Sequence, residues 1–348
     1  MFYRSRSILA LVAPILICLT LLVFYRPSQA QTAIMKAVII HSYGGPDVLK
    51  VEDVHRPVPK EDEMLIRVIA ASVNPVDVAI RKSYLAELIG NKFPLTLGMD
   101  AAGIVEKTGA KITKFKAGDP VYAFFTLANE GGYAEFVTAK ENEVASKPTT
   151  VTYTQAAAVP AAGSTAWQVL VDVAKLGAGQ TILIHGGSGG VGHFAIQIAK
   201  ARGAKVIATA STTNQDFIKK MGADVTIDYT KTKFEEVAKD VDVVLDMVGR
   251  ETLKRSYGVV KKGGIIVSIV DDVDQKELDA DGIRGMTFRC EPKASVLEDL
   301  AQLIDAKKII PVVSQTFPLS EVAKAQEQIA TRHTRGKIVF QIADEPKT

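Results

Sequence analysis

Residues 181–200, "TILIHGGSGGVGHFAIQIAK", constrain the fold of this chain more than any other stretch. An apolar, β-branched run breaks at a cluster of glycines, and apolar positions then resume at helical spacing. Gly187, Gly189 and Gly192 satisfy G-x-G-x-x-G, with a strand before and a helix after. In that context the first glycine permits a tight turn, the second admits a pyrophosphate close to the backbone, and the third lets helix pack on strand. The helix start adds unpaired N–H groups and the positive end of a dipole. Gly187, Ser188, Gly189, Gly190, Val191 and Gly192 are therefore expected to hold the phosphates of a dinucleotide.

Such a turn belongs in a parallel sheet, and the flanking sequence supplies one. Strand-like runs at 181–186, 205–210, 225–229, 241–248, 264–270 and 285–290 alternate with helix-like runs such as "VGHFAIQIAKAR" and "NQDFIKKMG". Nearly continuous apolar strands alternating with amphipathic helices imply an α/β fold with a doubly wound parallel sheet covered on both faces. Residues 35–158 read instead as short strands broken by Gly, Pro and Asp turns, as at Gly118-Asp119-Pro120. After Pro311 the tail returns to strand ("PVVSQTFPL"), helix (320–330) and strand ("GKIVFQI"). The expected division is a leader (1–30), a β-rich domain (35–158), a dinucleotide-binding domain (159–310) and a return to the first domain (311–348). A chain of 348 residues is long enough for both cores.

The leader has its own signature. Met1–Arg6 is short and basic, Ile8–Phe24 is a charge-free run of 17 residues, and "YRPSQA" places Ser28 and Ala30 at −3 and −1. These are the parts of a secretory signal peptide cleaved after Ala30. As an uncleaved anchor, a helix of that length would span ~25 Å, short of a ~30 Å hydrocarbon core. A third reading starts translation at Met35, where "MKAVII" opens. The compartment is accordingly exported or periplasmic, membrane-anchored through this segment, or, with a Met35 start, cytoplasmic. Residues 1–30 hold three arginines and no acid, so the 42 Lys+Arg of the chain become 39 against 39 Asp+Glu in the body. That balance gives no electrostatic case for nucleic acid or a membrane surface as partner. The only cysteines, Cys18 and Cys290, exclude a disulfide framework and a four-cysteine zinc site.

The end of the second Rossmann strand reads the nucleotide. NAD sites of this kind carry an acid there to hold the ribose 2′-hydroxyl. Here the strand ends "ATASTTNQ", with Ser211, Thr212, Thr213 and Asn214 and no carboxylate. Hydroxyls can donate to a 2′-phosphate that an Asp would repel, so the expected cofactor is NADPH. Lys219 or Lys220, a turn or two along the next helix, and Tyr229, ending the third strand, are further candidates. A solvated helix face accounts for the lysines equally well.

Seven stretches occur in order along residues 35–342: "MKAVIIHSYGGPDVLKVEDV", "ASVNPVDVAIR", "GMDAAGIVEKTG", "GGYAEF", "AAAVPAAGSTAWQVL", "HGGSGGVG" and "HTRGKIVF". Through them the chain resembles the zinc-independent quinone oxidoreductases of the medium-chain dehydrogenase/reductase superfamily. The resemblance implies a GroES-like, partly open β-barrel domain built from both chain ends. A Rossmann domain is inserted between them, with the active site in the cleft. In the zinc alcohol dehydrogenases of that superfamily, a Cys near position 74 and a Gly-His-Glu motif supply catalytic ligands. This chain has Asn74 and Gly98-Met99-Asp100 there, and its five histidines are scattered. Without Cys and His, no site for Zn²⁺ is expected. Hydride transfer from NADPH to a quinone or an α,β-unsaturated carbonyl suits such a site, because conjugation already activates the acceptor. A nucleotide-binding redox sensor or structural protein with little turnover is the rival reading, since the fold alone does not separate the two.

Individual site residues follow. Asn74-Pro75-Val76-Asp77 reads as N-cap, N1 proline and first-turn acid, with Asp77 and Arg81 spaced for a surface pair. The resemblance instead puts Asn74 beside the nicotinamide and substrate. It also implies Tyr84 in the substrate pocket, as proton donor in place of solvent, although Ser83 stands where glycine is usual. Thr165 matches a threonine near the nicotinamide. Ser268 is expected at the end of the fifth strand beside the nicotinamide ribose or carboxamide, and Lys337 at a cofactor phosphate or else solvated. The lone Trp167 reads as core. By resemblance the 285–290 strand pairs across a two-fold axis, giving a homodimer.

Overall fold

The computed structural model describes Met1 and residues 33–126 and 131–346. The leader features, including Arg4, Arg6, Ser28, Ala30 and Cys18, lie outside the described residues. Among the described residues no helix is long and apolar enough to cross a membrane.

The first eight strands are β1 (Ile34–Ile40), β2 (Lys50–His55), β3 (Glu63–Val73), β4 (Leu95–Thr96), β5 (Asp100–Thr108), β6 (Pro120–Phe124), β7 (Phe136–Lys140) and β8 (Val144–Ser146). The parallel-sheet strands are β9 (Thr181–Ile184), β10 (Lys205–Ala210), β11 (Val225–Asp228), β12 (Val241–Asp246), β13 (Val260–Ser268) and β14 (Arg284–Thr287). The last two are β15 (Val313–Pro318) and β16 (Lys337–Gln341). One small sheet has the order β2-β1-β4, and a larger one runs β15-β16-β3-β5-β6-β8, with β7 also on β3. β3 is "EMLIRVIAASV", buried along nearly its whole length because its residues enter cores on both faces, Ile69 and Ala70 in one and Met64, Ile66 and Val68 in another, while strands cover both its edges.

Register carries the consequence for function. β16 runs antiparallel to β3 with Ile338 opposite Val73, so Lys337 arrives beside Asn74. β5 runs antiparallel to β3 with Asp100 opposite Ser72. Three strand ends from distant parts of the chain thus meet at one point.

The other sheet has the order β11-β10-β9-β12-β13-β14, and every pair in it is parallel. Strand order reverses between β9 and β12, the switch point at which such sheets open a crevice. Alternate residues feed opposite faces: Ile182, Ile184, Val243 and Leu245 enter one core, and Leu183 and Val244 the other. The first core continues without a break through the helix Pro160–Trp167 to Ile69, Ala102 and Tyr122 of the β-rich lobe. Tyr122 closes the junction by donating from its hydroxyl to Leu297 O. Trp167 packs against this core while remaining partly exposed.

The expected strands appear with adjusted ends: the first, third and fourth stop one or two residues early, at Ile184, Asp228 and Asp246. The fifth begins earlier, at Val260, and stops at Ser268, and the sixth stops at Thr287. A larger correction concerns Asp77 and Arg81, which do not form a surface pair. Both are buried, because the helix Pro75–Arg81 is covered by the helix Val322–Ala330 of the C-terminal return. Arg81 donates from Nε to Gln326 Oε1 (2.7 Å) and from Nη1 to Gly44 O (2.7 Å).

Candidate active site

The glycine-rich turn joins β9 to the helix Gly190–Ala201. Its left-handed residue is Gly186 (φ 74°), so the sharp turn expected of Gly187 is made one residue earlier. Gly187 serves packing instead: a Cβ there would stand 3.1 Å from Ala208 Cβ and 3.2 Å from Ile196 Cδ1. Gly192 admits no side chain, since its Cβ would fall 2.3 Å from Gly186 O and 2.8 Å from Gly187 Cα. This lets the helix press onto the turn, so that the N–H groups of Gly190, Val191 and Gly192, unpartnered within the helix, stand at the end of β9, beside the switch point of the sheet. That cradle fits a dinucleotide pyrophosphate. Ser188 is anchored from below, where its carbonyl accepts from Gly336 N (2.8 Å).

The loop after β10 is a cluster of hydroxyls and amides. Ser211 Oγ lies 3.3 Å from Thr213 Oγ1 and accepts from Asn214 Nδ2 (3.1 Å). Thr212 is already engaged, its hydroxyl donating to Asp228 Oδ2 at 2.6 Å. Hydrogen bonds from Thr212 and Thr230 hold the Asp228 carboxyl down at about 2. The second strand thus carries no carboxylate at its end, but the third brings one beside it, a neighbour the local sequence did not disclose. Lys219 points elsewhere, its ammonium 3.5 Å from Asp224 O at the far end of its helix. Tyr229 is 54% exposed. Among the described residues two cations reach this loop: Lys231, paired with Asp228 (3.5 Å), and Arg335, which donates from Nε to Asn214 Oδ1 (2.9 Å) and from Nη2 to Thr213 O (3.0 Å). The arginine comes from the C-terminal return, more than 120 residues away, and no local pattern marks it.

Asn74, Asp100 and Lys337 form a buried polar cluster. Asn74 Nδ2 donates to Asp100 Oδ2 (2.8 Å), and Asn74 Oδ1 accepts from Lys337 Nζ (2.5 Å). Asp100 also accepts from Ser72 Oγ and, on Oδ1, from Ala161 N (2.7 Å), which caps the helix Pro160–Trp167 with negative charge. Lys337 additionally donates to Val73 O (3.2 Å) and stands 3.6 Å from Asp100 Oδ2. Burial lowers the Lys337 ammonium from the usual lysine range, against the opposing pull of Asp100 and Asp77. Lys337 is not solvated, at 2% exposure, and its ammonium is engaged by Asn74, Val73 O and Asp100. Its stem runs beneath the turn, with Cδ 3.0 Å from where a Gly190 Cβ would be, and its head continues to Asn74. The side chain of Asn74 therefore belongs to this cluster, and the helix start is served by Asp77, whose Oδ2 accepts from Asn74 N (2.8 Å) and Tyr133 Oη (2.7 Å). Burial raises the Asp77 carboxyl to about 7.

The remaining candidates fall around this centre in different ways. Thr165 donates to Ala161 O (2.7 Å), one turn back in its own helix, and lies against the Cys290 thiol. Burial pushes that thiol up to about 12, so Cys290 stays protonated at neutral pH and is a poor nucleophile. Ser268 has no free hydroxyl proton: it donates to Asp246 Oδ2 (2.8 Å) and accepts from Val270 N and Asp271 N. It shapes the loop after β13 instead of offering a donor to a ribose. Tyr84 is 75% exposed and just follows Ser83, which adopts φ 66°. That left-handed backbone explains why a glycine suits the position.

Comparison with known proteins matches residues 60–149 to the model of the alcohol dehydrogenase GroES-like domain and residues 221–340 to that of the zinc-binding dehydrogenases. The mouse protein named NAD(P)H oxidoreductase RTN4IP1, mitochondrial, is 35% identical over 90% of this chain and 91% of its own. The Arabidopsis thaliana NADPH-dependent alkenal/one oxidoreductase, chloroplastic, is 38% identical over 88% of this chain and 79% of its own. The structure of the quinone oxidoreductase from Coxiella burnetii superposes with a TM-score of 0.84 at 35% identity, covering 89% of this chain and all of that one. The zinc of the second family model does not fit here: Asn74 and Asp100 bind each other, and a buried ammonium holds the positive charge beside them. With a GroES-like lobe built from both chain ends and an inserted Rossmann lobe, the chain belongs to the quinone oxidoreductase-like family of the medium-chain dehydrogenase/reductase superfamily.

Proposed function

We propose that this chain is an NADPH-dependent, zinc-independent reductase of quinones or α,β-unsaturated carbonyls. The observation that carries the reading is the Asn74–Asp100–Lys337 cluster, in which Asn74 and Asp100 fall in the stretches matching the zinc-ligand motifs and Lys337 adds a buried ammonium beside them. It supplies a fixed amide and a cation without a Lewis-acid centre, which suits an acceptor already activated by conjugation. The names of the Arabidopsis and Coxiella relatives agree with both acceptor classes.

Bound NADPH supplies the hydride. Gly187–Gly192 would hold its pyrophosphate, and Ser211, Thr213 and Arg335 its 2′-phosphate. Asn74, bordering the cleft, would orient the acceptor carbonyl, and solvent or the exposed Tyr84 would deliver the proton. Purified protein is expected to oxidise NADPH faster when given 1,4-benzoquinone or a short enal. Tight NADPH binding with no acceleration by either acceptor would refute the reductase and favour a nucleotide-binding sensor.

Two features complete the reading. β14 is an edge strand of the Rossmann sheet, with Met286 exposed on it, and pairing with a second copy would extend the sheet across a two-fold axis. Light scattering at micromolar concentration should give a dimer mass, and a monomer mass would refute the pairing. Residues 1–30 would act as a targeting segment removed after Ala30; the mouse and Arabidopsis relatives are named as mitochondrial and chloroplastic. Amino-terminal sequencing of the native protein should then start at Gln31, and a start at Met35 would overturn it.

A further inference from the structure

Of the groups beside the cleft, the amide of Asn74 is the one held at both ends. A carboxylate only accepts hydrogen bonds and an ammonium only donates them. Asp100 on one side and Lys337 on the other therefore permit a single orientation of the amide, with Nδ2 toward Asp100 and Oδ1 toward Lys337. Flipping it would set the carbonyl oxygen against the carboxylate and the NH₂ against the ammonium. Nδ2 carries two hydrogens, and only one has an acceptor among the described residues. Asn74 is 6% exposed, so the amide is largely sheltered from water and a bond made by its remaining donor would be little screened.

The two clamping groups are themselves fixed. Ser72 and Ala161 N hold Asp100. Lys337 follows Gly336, whose N donates to Ser188 O in the phosphate turn and whose φ of 60° admits no side chain cheaply, a Cβ there falling 2.4 Å from Val312 O. The lysine stem is then confined beneath Gly190. The turn expected to bind the coenzyme and the lysine that fixes Asn74 are therefore one mechanical unit.

We infer that Lys337 and Asp100 are positioning residues: together they lock the Asn74 amide so that one Nδ2 hydrogen is presented to the acceptor oxygen in the cleft. This rests on the reading above that Asn74 borders the reacting atoms. Neither group needs to touch substrate or coenzyme, and both act through Asn74.

A double-mutant cycle tests it. Asn74→Leu, Lys337→Met and Asp100→Asn, singly and with Lys337 and Asp100 each combined with Asn74→Leu, are assayed for kcat and KM with NADPH and benzoquinone. Thermal melts accompany each variant. Loss of a preorganised donor lowers kcat by about 10²-fold in favourable sites, so Asn74→Leu should fall by tenfold or more. Lys337→Met and Asp100→Asn should each lower kcat by about tenfold, with KM for NADPH within about threefold. In the Asn74→Leu background either change should cost less than about twofold, because its route of action is gone. If Lys337→Met does not fold, the isosteric Asp100→Asn carries the same test. Additive losses, or an unchanged kcat in Lys337→Met or Asp100→Asn, overturn the positioning role while leaving Asn74 in place. An unchanged kcat in Asn74→Leu overturns the reading of Asn74 itself.

Discussion

Replacing Arg335 by Gln asks whether the hydroxyl-rich loop reads the 2′-phosphate. The guanidinium spends one hydrogen on Asn214 Oδ1 and one on Thr213 O, which leaves three of its five N–H groups free to meet an anion. A hydrogen bond to a charged group contributes about 1.5–3 kcal/mol when sheltered. Arg335 is exposed, so screening reduces that to the lower end, about 1.4 kcal/mol, or tenfold in affinity. Asp228 across the loop keeps its charge but is paired with Lys231 Nζ (3.5 Å), so removing the arginine takes away a cation facing the incoming phosphate without stranding that carboxylate. The expected result is a Kd for NADPH about tenfold higher in Arg335→Gln, with NADH changed less than about twofold. Titrating both nucleotides against intrinsic fluorescence, at two salt concentrations, separates the cases, because the NADPH difference should shrink as salt rises. Ser211→Asp is the companion change, which should lower the preference for NADPH over NADH by placing a second carboxylate at the loop. Equal losses for the two nucleotides in Arg335→Gln would mean that the arginine merely braces Thr213 and Asn214. No loss at all would place the 2′-phosphate elsewhere.

Gly192→Ala puts a methyl 2.3 Å from the Gly186 carbonyl oxygen, where both neighbours are backbone, so destabilisation of about 2–3 kcal/mol and loss of NADPH binding are expected in denaturant melts and titration. A variant of wild-type stability would refute the close approach. Asp77→Asn tests a buried carboxyl raised to about 7 from 3.8. Its folded pKa lies above the unfolded one, so wild type loses stability relative to the variant as pH climbs from about 4 to 7, by at most about 4 kcal/mol. A difference that does not change with pH over that window would show that Asp77 is ionised throughout.

What the sequence disclosed and what it withheld divide along the length scale of the interactions. The phosphate turn is local: glycines, strand and helix all fall within 20 residues, so its place could be read directly, and only the division of labour between Gly186 and Gly187 needed coordinates. Asn74 could be placed near the chemistry by resemblance, but its N-cap pattern competed with that role. The competition is resolved by Asp77, which takes the capping duty with its own carboxylate and frees the amide. Arg335, and the contacts of Lys337, were hidden for a different reason. The two cations are two residues apart on one short segment, yet one reaches Asn214 and the other Asn74, contacts set by the pairing of β16 with β3 and by the seating of that segment under Ser188. No periodicity in "HTRGKIVF" encodes which of its cations is buried. That is decided by the left-handed turn at Gly336, which separates the two side chains, and by the pairing that seats Lys337 against β3, more than 200 positions away. The same pairing gives the segment its functional meaning, since a chain end that closes the barrel lobe also touches the phosphate turn, the nucleotide-reading loop and Asn74. A binding event at either Rossmann loop is thereby mechanically adjacent to the residue proposed to orient the acceptor, without any element having to move far.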